Sequence, residues 1–559
     1  MTTRNEHYDT AVTSPSNQLL VIAPPGCGKT ELLARRALHL LPTLEPHQRI
    51  LALTFSNKAR ANLASRLRAT LGRERMQRYV TVRNFHGHAA ELIRSHGATL
   101  GLDPQFQPPE RSTLPRAMAP WTDPLPKAQA AELTVQIESE LRMSKQCPRT
   151  DAQVMNWLRD NACQPAIQIE LDRQVSGEIY YDDLLRHAQR LLRVPQVSAL
   201  YRLHYGAVLV DEFQDLSPQQ LDLALRSCDA DRTFVGDPLQ GIYTWTGARP
   251  VQVERRLRRL CGKPNGLGVS YRSSPRVLDV VNVVASSLGG QPLQADQENA
   301  WFEGGIVGAG AFSTGAQEAT FVVDTAAAIL QGRPDSTIGV ISRMGWRRIP
   351  VDEAFATTTL PVTHWDRYVE DPAILRLLVA ARERLCSKDI TSEDFCREVL
   401  AGIDTADEDS RAEIAAAIDT LAEQVNDDDP AAFRAVLDGL RSLDADAPIA
   451  AGVHLLNAHV GKGQQFDWVF IPGFEQGHVP SFLAKGTAEQ VEEKRILLVM
   501  LSRARHGVMV TRAGTLISAG TGKPYTRDAS PWASMIQEVS PSSLQEVRDH
   551  IRRYDGTQT

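Results

Sequence analysis

Leu19-Leu-Val-Ile-Ala23-Pro-Pro-Gly-Cys-Gly-Lys-Thr30 passes from five apolar residues into a glycine-rich loop, and a helical pattern follows over Glu31–Leu41. This strand–loop–helix order predicts a phosphate cradle. Gly26 and Gly28 let the backbone turn so that amide N–H groups face phosphate oxygens, and the helix N-terminus adds a favourable dipole. In this reading Ala23, Pro24, Pro25, Gly26, Cys27 and Gly28 line the cradle. Lys29 reaches the β- and γ-phosphates of ATP, and Thr30 holds Mg²⁺. Cys27 lies near a helix start, where thiol pKa values can fall, and is read as a passive spacer. A look-alike, Gly520-Thr-Gly-Lys523, runs into Pro524 without a following Ser or Thr and reads as a turn.

Six further apolar runs read as buried strands: Ile50–Phe55, Ala207–Val210, Thr233–Gly236, Gly339–Ser342, Trp468–Phe474 and Val508–Arg512. Their alternation with helical patterns predicts an α/β protein with parallel sheets. They fall into two groups, before and after about residue 265, which predicts two α/β domains. Two stretches interrupt them. Residues 98–204 open with Pro104, Pro108, Pro109, Pro115, Pro120, Pro124 and Pro126, then turn helical, as over Ala128–Arg142. Residues 346–450 read as mainly helical, as over Ser410–Gln424. Within them, 401–446 holds thirteen Asp/Glu against three Arg. That surface would repel phosphate; it reads as a solvated helical face or as a docking surface for a protein partner.

The chain has 559 residues, enough for about three or four compact units. It is 42% hydrophobic and 23% charged, with no run of about 18 apolar residues, so no membrane span is expected. Met1–Thr10 is polar and lacks an apolar signal core, which gives a cytoplasmic expectation. The net charge of −6 is not that of a generally basic nucleic-acid binder, but a narrow cleft needs only local positive charge. Seven scattered cysteines without a Cys-x-x-Cys pair argue against a disulfide framework or structural zinc, and most read as buried small residues.

Val208-Leu-Val-Asp-Glu-Phe-Gln-Asp215 is a second chemical landmark, an apolar strand ending in acids. In such folds a carboxylate at a strand's C-terminal end sits beside the phosphate cradle. Asp211 is the expected Mg²⁺ ligand, and Glu212 the expected base that orients water for attack on the γ-phosphate.

With these blocks in place, the sequence resembles the UvrD/Rep group of superfamily 1 helicases. Ala11–Thr30 is similar to that family's entry strand and phosphate loop, and Ile50–Ala59 and Asn84-Phe-His-Gly87 to its first DNA-contacting blocks. Asp211–Asp215 and Val235-Gly-Asp-Pro-Leu-Gln-Gly-Ile-Tyr-Thr-Trp-Thr-Gly-Ala248 are its most specific blocks. Tyr271-Arg-Ser-Ser274, His459-Val-Gly-Lys-Gly463 and Leu501-Ser-Arg-Ala504 follow in family order. The resemblance covers most of 8–97, 205–345 and 450–513. It implies two RecA-like P-loop motor domains with parallel sheets, each interrupted by a helical accessory insertion. The first motor domain would comprise 1–97 and 205–264 around an insertion at 98–204. The second would comprise 265–345 and 451–540 around an acidic insertion at 346–450, with a tail at 541–559.

For matched positions the resemblance implies roles. Gln240 senses the γ-phosphate, Tyr271 stacks on adenine, and Arg272 and Arg503 reach the γ-phosphate. Phe55, His86, Tyr243, Trp245 and His459 contact the strand, with Thr54 and Asn57 near its phosphates. Aromatic faces stack on bases without reading sequence. Two positions depart from the family. Tyr8 stands where an adenine-reading glutamine is usual, and Gln465 replaces an acid that would face the ribose, which loosens the expected choice of nucleotide. The implied activity is ATP-dependent 3′→5′ movement on single-stranded DNA and at single–double-strand junctions. The alternative is a translocase or sensing subunit of a repair nuclease or of a phage-defence complex of the Gabija type.

Overall fold

The computed structural model describes residues 6–106, 113–243, 247–296, 301–365, 391–401, 449–482, 484–517 and 523–554, with positions 378, 381, 382, 418, 421, 433, 434 and 437. The chain divides into two compact units. One runs from Gly28 to Leu267 together with the segment ending at Ala23. The other runs from Gly268 onward and takes in Pro24–Cys27.

The first unit is built on six strands: β1 (Gln18–Ile22), β2 (Arg49–Thr54), β3 (Val80–Asn84), β4 (Tyr205–Val210), β5 (Asp231–Gly236) and β6 (Asn265–Gly266). Their order is β3-β2-β4-β5-β1-β6 and every pairing is parallel. A parallel sheet is covered on both faces, which is why the central strands are continuously apolar. All six residues of β4 are buried. Leu20, Leu51, Leu53, Val208, Val210 and Phe234 form its core with Phe85, Leu92 and Ile93 of the helix Phe85–His96 and Leu184 and Leu191 of the helix Tyr181–Leu191. Register brings the strand ends level: Thr54 pairs with Asn84, and Ile22 with Gly236. The loops that follow β1 to β5 therefore leave one edge of the sheet, where ligands of open α/β folds bind.

Between β3 and β4 lie helices at Thr113–Thr122, Lys127–Lys145, Asp151–Asn161, Gln164–Ser176, Tyr181–Leu191 and Pro195–His204. Met118, Ile137, Leu141, Val154, Leu158 and Ile169 give them a small core of their own. At its border Asp183 accepts from Lys145 at 2.8 Å and from Arg186 at 2.7 Å, and lies 3.4 Å from Arg173.

The second unit carries a two-stranded pair, β7 (Val269–Ser270) with β8 (Gln294–Ala295), and a seven-stranded sheet. The sheet comprises β9 (Ile306–Thr314), β10 (Thr337–Ser342), β11 (Val362–His364), β12 (Gly452–Asn457), β13 (Phe466–Ile471), β14 (Ala504–Ile517) and β15 (Pro524–Thr526). Its order is β11-β12-β10-β13-β14-β15 with β9 alongside β14, and only β14–β15 is antiparallel. Beside the sheet Arg347, Glu318 and Glu475 are buried together, Arg347 reaching both carboxylates.

Several sequence expectations are corrected. The 541–559 segment is not a simple tail: Leu544–Arg553 is a helix with a Ser543/Glu546 capping box, and Val547, Ile551 and Tyr554 lie in the second unit's core. The stretch from 346 does not begin a separate insertion. The helix Gly345–Ala356 places Val351 and Phe355 in that core, and β11 joins the sheet beside β12. The first unit continues past 264 through β6, which pairs with β1. The acidic 401–446 run and Ser410–Gln424 lie outside the described residues except at isolated positions, as does the Gly520–Gly522 part of the second loop. Of the described cysteines only Cys27 and Cys228 are buried, so the expectation for the others fails. Among the described residues no helix is long and apolar enough to cross a membrane.

Candidate functional site

The loop after β1 folds as its glycines demand. Gly26 and Gly28 both take φ of 80°, the left-handed region that side chains disfavour. Gly28 caps the helix Lys29–Leu40, so the first helical N–H groups follow directly from the loop. Any β-carbon at Gly26 would meet Ser270 Oγ at 2.3 Å, and the Gly26 carbonyl accepts from the Tyr271 N–H at 2.9 Å. Tyr8 is buried with its ring edge 3.5 Å from the place a Gly28 β-carbon would take. The residue that departs from the family thus lies against the loop.

Lys29 opens its helix and turns back over the loop. Its Nζ donates to the Ala23 carbonyl at 3.1 Å and lies 3.8 Å from Glu212 Oε1. Thr30 follows at the second helical position. Along the same end of the sheet, Asp211 directly follows β4 and is buried. Burial, and then the charge of neighbouring Glu212, pushes its carboxyl up to about 7, against the pull of Lys29. Asp211 Oδ1 accepts from the Glu212 N–H at 3.0 Å. Glu212 has φ 51° and ψ 51°, a left-handed backbone that costs a non-glycine residue about 1–2 kcal/mol. Strain at such a position is consistent with a side chain aimed for chemistry rather than for packing.

Two residues without a role in the sequence reading join this carboxylate to Gln240. Gln214 Nε2 donates to Glu212 Oε2 at 2.6 Å, while Gln214 Oε1 accepts from the Asp237 N–H at 2.9 Å. Asp237 Oδ2 then accepts from Gln240 Nε2 at 2.8 Å. Gln214, Asp237 and Gln240 are all buried. Gly236 leaves room for this path, since a β-carbon there would lie 2.3 Å from Gln214 Oε1. Gln214 and Asp237 both sit inside quoted motifs; their pairing joins two loops and is invisible in either alone.

The expected strand contacts fall at neighbouring strand ends. Thr54 ends β2 and its hydroxyl donates to the Ser56 carbonyl. Phe55 stacks on Tyr243 with ring centres 5.5 Å apart and planes 14° apart. His86, just beyond β3, stacks on Tyr181 at 4.0 Å. Burial lowers His86 to about 4, so it is neutral at neutral pH. Tyr181 is 56% exposed and was missed by sequence reasoning; its one signal is an aromatic opening a helix. Asn57 begins the helix Asn57–Leu71, but its side chain, like all of Trp245, lies outside the described residues.

In the second unit Arg272 donates to the Ser502 carbonyl at 3.4 Å, and buried Arg503 donates to the Ser502 hydroxyl at 2.9 Å. Arg503 also donates to Val499 and Gln464 carbonyls. The two predicted arginines therefore meet on one residue. Tyr271 is half-buried and Gln465 exposed. His459 follows β12, where Asn457 Oδ1 accepts its N–H, and burial followed by Arg343 lowers it to about 4.

A mixed α/β chain with parallel sheets and a glycine-rich loop between strand and helix belongs to the broad phosphate-loop class. Within that class, a family model described as the UvrD/REP helicase N-terminal domain matches residues 4–258, and one for the UvrD-like helicase C-terminal domain matches 438–514. Together they take in more than half of the chain, which belongs to the UvrD/Rep-like helicase family. DNA helicase II of Escherichia coli strain K12 is 30% identical over 301 residues, 51% of this chain and 41% of the relative. ATP-dependent DNA helicase Rep of the same strain is 30% identical over 309 residues, 51% of this chain and 43% of Rep. ATP-dependent DNA helicase UvrD2 of Mycobacterium tuberculosis strain H37Rv is 28% identical over 543 residues, 89% of this chain and 76% of UvrD2. The chain spans about two fifths of the length of DNA helicase II and Rep.

Proposed function

We propose that this chain hydrolyses ATP to move 3′→5′ along single-stranded DNA and to open duplex at single–double-strand junctions. The observation that supports this most is the path Glu212–Gln214–Asp237–Gln240 beside Lys29. It couples a water-orienting carboxylate to a phosphate-sensing amide, and three residues later the same segment carries Tyr243, stacked on Phe55. One short stretch thus serves both nucleotide and strand.

Lys29 offsets phosphate charge, and Glu212 orients water and receives its proton. The Thr30 hydroxyl and Asp211 would hold Mg²⁺. The fit rests on Asp211, a buried carboxylate beside a second one, whose raised pKa marks a place where positive charge is in deficit. A divalent cation there supplies that charge and neutralises phosphate oxygens. Arg272 and Arg503 are assigned to the charge that develops in phosphoryl transfer, where an arginine contributes about 10³–10⁵-fold. Tyr271 is assigned to the base and Gln465 to the ribose. Phe55, Tyr243, His86, Trp245 and His459 are assigned to the strand, with Thr54 and Asn57 at its phosphates.

The test is ATP hydrolysis by wild type and Glu212→Gln, with and without single-stranded DNA, at low and moderate salt. DNA-stimulated turnover lost in the variant is expected; turnover indifferent to DNA overturns the assignment. The acidic 401–446 run favours a second reading, a translocase or sensing subunit of a nuclease or phage-defence complex. A nuclease that co-purifies with the chain, with no unwinding by the chain alone, would select it.

A further inference from the structure

We infer that the helix Pro250–Cys261 is a second nucleic-acid surface, one that holds the phosphate backbone of duplex; this rests on the DNA-directed reading above. The helix sequence Pro-Val-Gln-Val-Glu-Arg-Arg-Leu-Arg-Arg-Leu-Cys buries Pro250, Val253 and Leu257 and turns Arg255, Arg256, Arg258 and Arg259 outward. Arg258 pairs with Glu254 at 2.7 Å. Arg256 lies 3.6 Å from Asp222, which Arg193 and Arg226 already hold at 2.8 and 3.1 Å. Two acids therefore serve four arginines. Among the described residues Arg255 and Arg259 have no carboxylate within ion-pair distance, in a chain whose net charge is −6.

Arginines in a last helical turn favour the helix dipole, which accounts for Arg258 and Arg259. It does not account for Arg255. Val251, Arg255 and Arg259 recur every four residues on one face, and with Glu254 and Arg258 they line a shallow hollow of about 430 Å³. Arg255 and Arg259 stand about 6 Å apart along the axis, close to the rise of two phosphates on one DNA strand. The choice of duplex over single strand follows from what the helix lacks. It carries no aromatic residue, whereas single-strand surfaces combine charge with stacking platforms. A row of guanidinium groups without rings recognises backbone alone.

The helix is also placed to report what it holds. Its first residue, Pro250, packs 3.0 Å from the place a Gly241 β-carbon would take, next to Gln240. The Arg249 N–H donates to the Leu216 carbonyl at 3.1 Å, just beyond Asp211–Asp215.

The test uses the full chain, a blunt duplex of about 20 base pairs and a separate oligo-dT, with Arg255→Gln/Arg259→Gln and the charge-keeping Arg255→Lys/Arg259→Lys. The glutamine variant is expected to bind duplex about tenfold more weakly at low salt, with its log–log salt slope smaller by about 2, while the lysine variant keeps both. Oligo-dT-stimulated ATP hydrolysis is expected to stay unchanged in both variants. Equal duplex affinity and slope in the glutamine variant overturns the inference while leaving the proposed function intact. So does loss of binding to polyglutamate with duplex binding kept, which assigns the face to an acidic protein. Absence of any DNA stimulation in wild type overturns the proposed function instead, and that result is read separately from duplex affinity.

Discussion

Asp183 and Asp211 are both buried aspartates of the first unit, and burial pushes both carboxyls upward. They end in opposite states. Lys145, Arg173 and Arg186 surround Asp183 and hold it far below the usual carboxylate range. Burial and the neighbouring charge of Glu212 outweigh Lys29 and the Glu212 N–H at Asp211, so it rises to about 7. Asp183 belongs to a closed structural network that joins the helices Lys127–Lys145, Gln164–Ser176 and Tyr181–Leu191 to one another. Asp211 sits at the open edge of the sheet with its charge unbalanced. A buried carboxylate left without enough cations is a liability to the fold and an asset to a site that must take up a cation.

The widest separation between the two regions should appear in turnover. Lys29→Ala is expected to lower DNA-stimulated ATP hydrolysis by about 10³-fold or more, with oligo-dT binding largely kept. Parallel loss of strand binding would show that Lys29 supports the fold rather than the chemistry. Next comes Asp183→Asn, which leaves three buried cations underserved. It should destabilise the first unit by about 3–5 kcal/mol in chemical denaturation. A stability within about 0.5 kcal/mol of wild type would remove the contrast altogether.

Gln214→Ala breaks the path between Glu212 and Asp237. Hydrolysis should fall about ten- to a hundredfold while nucleotide affinity changes little, and the unpaired Asp237 N–H left in the buried site should cost about 1–3 kcal/mol of stability. Loss of affinity in proportion would make Gln214 a binding residue only.

Asp211→Asn gives the sign test. Its folded pKa of about 7 exceeds the unfolded value of about 3.9, so the folded state prefers the protonated form. The resulting penalty is absent below about pH 4, grows as pH rises toward 7 and is complete above it. Without Mg²⁺ the variant should therefore gain stability at pH 8, by up to about 4 kcal/mol, and the gain should vanish by about pH 4. It should also lose hydrolysis. Destabilisation at pH 8 would mean that Asp211 is balanced by its surroundings as Asp183 is. The smallest effect is expected at the strand contacts. Trp245→Ala should weaken DNA-stimulated turnover by about 1–3 kcal/mol in apparent strand affinity; an unchanged DNA titration removes Trp245 from the contact set.

Much of this was legible from residue order. The loop at Ala23–Thr30 announces itself because its chemistry is local: glycines, a lysine and a helix start in consecutive positions. Asp211 and Glu212 are legible for the same reason, since an apolar strand ends in them. β9 was not, because Ile306–Thr314 is rich in Gly, Ala, Ser and Thr and gains its place from eight pairings with β14. The helix Leu544–Arg553 was not, because it is mostly polar and anchors through Val547 and Ile551, one turn apart.

The sequence by itself determined the class of fold, the phosphate loop, the acids at the end of β4 and the family, since each is carried by neighbours along the chain. Only tertiary structure decided that Gln214 meets Asp237 across 23 residues, that Tyr181 covers His86, and that Arg272 and Arg503 meet on Ser502. It also decided which buried aspartate is neutralised. Carboxylate charge depends on the cations that distant helices bring within about 3 Å, and no pattern of adjacent residues encodes that distance.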